Sequence, residues 1–138
     1  DVTSHSYFES EADQDFSIEK THLENEIWTQ LRINPKSLPV GTFKIIPSIE
    51  YVRLKHKKLK AYNASAKLKN DNYTISYPEL NRTLSINFTK TFPYTIESWE
   101  ETINGLTTKA TKLKTIKSPY WSKNSNNDAV LRDSLKLK

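Results

Sequence analysis

At 138 residues the chain has the length of a single domain, and with 36% apolar and 27% charged residues it has the composition of an ordinary globular core. No apolar run approaches the ~20 residues that a membrane-spanning helix needs, and two glycines are too few for a collagen-like repeat or a glycine-rich phosphate cradle. The net charge of +5 hides an asymmetry: residues 1–26 hold eight acids against Lys20 alone, whereas residues 27–138 hold 20 bases against eight acids.

In chain order, the acidic first segment is expected to lie over a basic edge of the same fold. Thr21-His22-Leu23-Glu24 has the form of a capping box, which predicts a helix over about 21–33, with His22 exposed in its first turn. Leu23, Ile27 and Leu31 recur every four residues beside Trp28, giving one apolar stripe, and Asn34-Pro35 ends the helix. Beyond it, seven short runs rich in Thr, Ile, Val, Tyr and Phe read as antiparallel strands: 43–46, 49–56, 59–69, 73–77, 83–90, 94–102 and 106–117.

Leu84, Ile86 and Phe88 alternate with Ser85, Asn87 and Thr89, which gives one dry face and one wet face. Pro93 suits an edge or a bulge. Asn104-Gly105 is the preferred pair for a tight two-residue hairpin, and Asn70-Asp71-Asn72 and Pro78-Glu79-Leu80-Asn81 mark further turns. Leu106, Ala110 and Leu113 also have helical spacing, but the threonines among them favour a strand. A short C-terminal helix over 128–137, capped by Asn127, completes the reading. The predicted fold class is mainly β (α+β): a curved antiparallel meander or half-barrel with one helix packed on its concave face.

The absence of cysteine removes disulfides, thiolate zinc sites and cysteine nucleophiles. His5, His22 and His56 show no metal-ligand spacing, and neither a nucleophile elbow nor a nucleotide-binding loop occurs, so no metal, cofactor or nucleic-acid partner is expected. Glu97 and Glu101 share a strand face with Trp99, which makes them the candidate carboxylates for a cell-wall or glycan-acting enzyme. Arg53, Lys55 and Lys57 point one way in an extended chain, which reads as the wet side of a half-buried strand; with Lys58 and Lys60 they are also, as the alternative, a candidate anion-binding strand over 53–60. Trp28, Trp99, Tyr120 and Trp121 are the candidate surface for an apolar ligand. Four N-x-[ST] sequons, at Asn63, Asn72, Asn81 and Asn87, bear only on a eukaryotic secretory chain.

Several longer stretches resemble a known family. His5-Ser6-Tyr7-Phe8-Glu9, Leu23-Glu24-Asn25-Glu26-Ile27-Trp28, Leu31-Arg32-Ile33-Asn34-Pro35, Tyr77-Pro78-Glu79-Leu80, Arg82-Thr83-Leu84 and the run from Ala110 to Lys117 are similar to the C-terminal part of a family of Bacteroidetes envelope proteins. The likeness continues through Tyr120-Trp121, Asn124-Ser125-Asn126 and Leu131-Arg132-Asp133. Members often carry the label "septum formation inhibitor Maf", yet this chain has neither the S-x-S-P-R-R loop nor the α/β alternation of the genuine Maf nucleotide pyrophosphatases. The resemblance therefore implies no enzyme. It implies an exported protein, periplasmic or associated with the outer membrane and lipoprotein-like, and residues 1–138 as one domain or the C-terminal part of a larger envelope protein. No methionine occurs, which accords with processing from a longer precursor.

The leading expectation is thus a non-enzymatic envelope protein whose concave sheet face holds its own core or an apolar ligand such as a lipid. Pairing with itself or with an envelope partner through an open sheet edge is the expected mode of association.

Overall fold

The computed structural model describes residues 1–5, 7 and 12–137; Ser6, Phe8, Glu9, Ser10, Glu11 and Lys138 lie outside it, and with them two of the acids in the first segment and part of the first family-like stretch. Strands β1 (Val2–Ser4) and β2 (Gln14–Phe16) pair with each other in a small antiparallel sheet. Of the acids beyond it, Glu19 approaches Lys44 at 4.0 Å and Glu24 reaches Arg82.

Strand β3 (His22–Leu23) leads into helix α1 (Glu24–Ile33). There follow β4 (Gly41–Ile46), α2 (Ile49–Leu54), β5 (Tyr62–Lys69), β6 (Asn72–Tyr77), β7 (Arg82–Phe88), β8 (Ile96–Ile103), β9 (Leu106–Thr111) and α3 (Val130–Ser134). Strands β3 to β9 form one seven-stranded sheet in sequence order, antiparallel except for the parallel pairing of β3 with β4. The chain is therefore mainly β, an open meander with helices packed on it. The short pairing of β3 closes one side of the sheet, and β9, largely exposed, forms the other edge.

The connections follow their residues. Asn104 and Gly105 both adopt left-handed conformations, at φ of 50° and 81°, in the tight turn between β8 and β9, the geometry that an Asn-Gly pair supplies at least cost. Asn70 and Asn81 are also left-handed, at the ends of β5 and of the turn Pro78–Leu80. On β7 the alternation predicted for Leu84, Ile86 and Phe88 is realised, with a register shift at Asn87 and Phe88 ahead of the connection that carries Pro93. The core joins this face to Ile45, Tyr62, Ala64, Tyr73 and Ile75 of the sheet and to Ile27 and Leu31 of α1.

Three local predictions are corrected. Residues 49–56 do not form a strand: Ser48 caps α2 by accepting a hydrogen bond from the Tyr51 N–H at 3.1 Å, and Asn25 Oδ1 accepts from the Ile49 N–H. Burial of the adjacent residues Tyr51 and Val52 fits a helix and breaks strand alternation. Helix α1 begins two residues later than the capping box implied, with Leu23 in place of Thr21 at its N-cap, because His22 and Leu23 pair with Ile45 and Ile46 and the Thr21 hydroxyl donates instead to the Lys44 carbonyl. His22 consequently lies in β3, edge-on to Phe43, and the inward stripe runs through Glu24, Ile27 and Leu31, leaving Leu23 half exposed. At the C-terminus Ser125, not Asn127, makes the capping box, with Asp128, over a short 3-10 turn that leads into α3. The Ser125 hydroxyl, and then its backbone N–H, hold the Asp128 carboxyl below its ordinary pKa.

Candidate functional site

Burying Arg82 on the dry face of β7 requires partners, because an isolated cation loses its hydration without return. The guanidinium supplies a planar fork, and Glu24 of α1 matches it: Nη1 donates to Oε2 at 2.5 Å and Nη2 to Oε1 at 2.7 Å. Nε donates to Glu101 Oε1 of β8 at 2.6 Å. Tyr77 completes the group, its hydroxyl donating to Glu24 Oε2 at 2.6 Å. The guanidinium lies 4.5 Å from the centre of the Tyr51 ring and 5.1 Å from that of Tyr77, within cation–π range of both. Side-chain exposure is 2% for both Arg82 and Glu24 but 23% for Glu101, so only the last presents its charge to solvent.

Burial acts to lower the Arg82 pKa, but the Glu24 and Glu101 carboxylates outweigh it and raise the net value, so the side chain stays cationic. Tyr77 is raised well above its ordinary value by burial, reinforced by the Glu24 carboxylate, and burial does the same to Tyr73, whose hydroxyl donates to the Pro39 carbonyl at 2.6 Å. Folded protein thus holds these two phenolic protons more tightly than unfolded chain does. Their contribution to stability is complete below the unfolded-state pKa of ~10 and declines as pH rises above it. Spectrophotometric titration should show tyrosinate forming at Tyr73 and Tyr77 only together with loss of the circular-dichroism signal. Ionisation of all seven tyrosines ahead of that loss would contradict their burial.

Beside this ionic group a groove opens between the helices and the sheet, with a volume of about 360 Å³, at the lower end of the range for small-molecule sites. Opposed residues share a sheet face, and the register pairs Arg82 with Ile103, Leu84 with Glu101 and Ile86 with Trp99, which brings β7 and β8 together as the floor. Helix α1 contributes Asn25 and Trp28, and Trp28 meets Trp99 edge to face with ring centroids 6.4 Å apart. Tyr51 and Leu54 of α2 form the remaining wall, and Glu50 and Lys55, both exposed, stand at the mouth.

The sequence-derived candidates divide accordingly. Trp28 and Trp99 converge on the groove, whereas Tyr120 and Trp121 are about three-quarters exposed and meet each other edge to face elsewhere. The basic set Arg53, Lys55 and Lys57 is not one face of a strand: Arg53 lies in the last turn of α2, Lys55 follows the helix at the groove mouth, and Lys57 lies in the exposed segment before β5. Lys60 pairs with Glu79 at 3.4 Å. Of the two candidate carboxylates, Glu101 lines the groove and binds Arg82, while Glu97 pairs with Lys112 and lies outside it. Sequence reading gave Glu24 and Arg82 no site role, although the parity that put Leu84 and Ile86 on the dry face also put Arg82 there.

Among the described residues no helix is long and apolar enough to cross a membrane, and no three His, Asp or Glu side chains converge as a metal site. Comparison with protein-family models, curated proteins and solved structures finds no match to this chain.

Proposed function

We propose that the chain is a non-enzymatic cell-envelope binding protein, exported to the periplasm or held at the outer membrane, whose groove between α1, α2 and the sheet takes one small, mainly apolar ligand. One observation carries the binding reading: the core beneath α1 is filled by its own side chains, yet beside it a cavity of ligand size stays open and is walled by Trp28, Trp99, Leu54, Leu84 and Ile103. About half of the lining residues are apolar or aromatic, and polar groups among the rest can fix a ligand's orientation. A volume of about 360 Å³ suits a short chain or a ring system better than a two-chain lipid. Export rests on the family-like stretches of the sequence.

The binding reading is also favoured over catalysis by the state of the charged groups. Glu24 and Arg82 are engaged with each other and with Tyr77 and Glu101, which suits a structural role better than proton transfer.

Three tryptophans allow a test with an internal control. Titration with 1-octanol, an uncharged apolar probe, should move the indole N–H resonances of Trp28 and Trp99 saturably and leave that of Trp121 in place. If the first two stay unmoved up to the solubility limit of the probe, the groove takes no uncharged apolar ligand.

A further inference from the structure

The charges around the groove specify one end of its ligand, an inference that rests on the binding reading above. An anionic head finds little to hold it. Arg82 is the natural partner for a carboxylate or phosphate, but its guanidinium is almost wholly covered, and all three of its nitrogens already donate to Glu24 and Glu101. The other cation lining the groove, Lys55, stands exposed at the mouth, where a charge is hydrated and screened. Against these two cations stand three carboxylates, Glu24, Glu50 and Glu101, so the lining carries a net negative charge.

Glu50 stands exposed at the mouth, and Glu101 is the carboxylate a ligand can reach inside the groove. It retains 23% of its side-chain exposure, lines the groove next to Trp99, and engages Arg82 through Oε1, leaving Oε2 without a hydrogen-bond donor among the described residues. The rings of Trp28, Trp99 and Tyr51 stand around the same space, and aromatic faces attract cations.

We propose that the groove binds amphiphiles with a cationic amine or quaternary ammonium end, the ammonium lying against Glu101 and the aromatic walls and the apolar body against Leu84, Ile103 and Leu54. The ion pair Glu24–Arg82 then acts as a fixed base that holds Glu101 in place and leaves one negative charge in excess. The ligand completes that charge balance.

Three probes of matched chain length test this in the intact chain: n-octyltrimethylammonium, 1-octanol and octanoate, each followed through the indole resonances of Trp28 and Trp99. The expected order is ammonium tightest, alcohol intermediate and carboxylate weakest, with on the order of tenfold between the first and the last. Glu101→Gln should remove most of the preference for ammonium over alcohol while 1-octanol still binds. If that variant does not fold, by circular dichroism, the wild-type series decides alone, with Glu50→Gln, at an exposed position, as the second variant and a smaller loss expected. Equal binding of ammonium and alcohol overturns the charge inference and leaves the groove reading standing, as does tightest binding of octanoate. Failure of all three probes overturns both.

Discussion

Replacing Arg82 with methionine should cost about 3–5 kcal/mol of folding stability, measured by urea unfolding, because it leaves the Glu24 carboxylate in an environment where only 2% of the side chain meets solvent. The penalty arises from the orphaned charge more than from the lost bonds. In water the two ions would each be hydrated; inside the fold each replaces that hydration with the other, and removing one leaves its partner with neither. Glu101 is better placed, since its exposure lets water take over part of the role of Arg82. The pair therefore acts as one unit, and its two halves are not additive. Combining Arg82→Met with Glu24→Gln should cost clearly less than the sum of the single changes, because the double variant buries no unpaired charge. A cost below about 1 kcal/mol for Arg82→Met alone would show that Glu24 finds another partner or stays hydrated.

The second large effect is expected at Leu31. This residue is fully buried where α1 meets the sheet, and truncation to alanine should destabilise the protein by about 2–5 kcal/mol through lost apolar transfer and the cavity left behind. Ile33, two residues on and 64% exposed, provides the contrast: Ile33→Ala should change stability by less than about 0.5 kcal/mol. Similar losses at both positions would mean that the helix is not held by the face that Ile27 and Leu31 present. The result bears on the site as well, since α1 carries both Glu24 and Trp28. Loosening the helix releases one ligand of Arg82 and one wall of the groove together, so Leu31→Ala should also weaken binding of 1-octanol although Leu31 does not line the groove.

Much of the meander was legible because its signals are local. Alternation in residues 83–88 reports which face is dry, and Asn104-Gly105 reports a turn because few other pairs tolerate two left-handed residues in succession. Residues 49–56 were less legible: a helix of six residues offers too few turns for a 3.6-residue period to stand out, and its start depends on Ser48 and on Asn25, a residue distant in sequence. The groove was legible in part. Trp28 and Trp99 stood out as aromatic residues able to line a ligand site, while Tyr120 and Trp121 stood out for the same reason and lie elsewhere.

By itself, then, the sequence determined the class of fold, the hairpin succession from β5 to β9 and the dry face of β7, since period, turn chemistry and β-branched content act within a few residues of each other. Only the tertiary structure decided where the ionic centre lies. Glu24 and Arg82 are 58 residues apart, and nothing local distinguishes an acid that caps a helix from one turned inward to a buried guanidinium. That choice was made by the pairing of His22 and Leu23 with β4, which shifts the start of α1 and turns Glu24 toward the sheet. A burial that stabilises only when both partners arrive together is a property of the assembled fold.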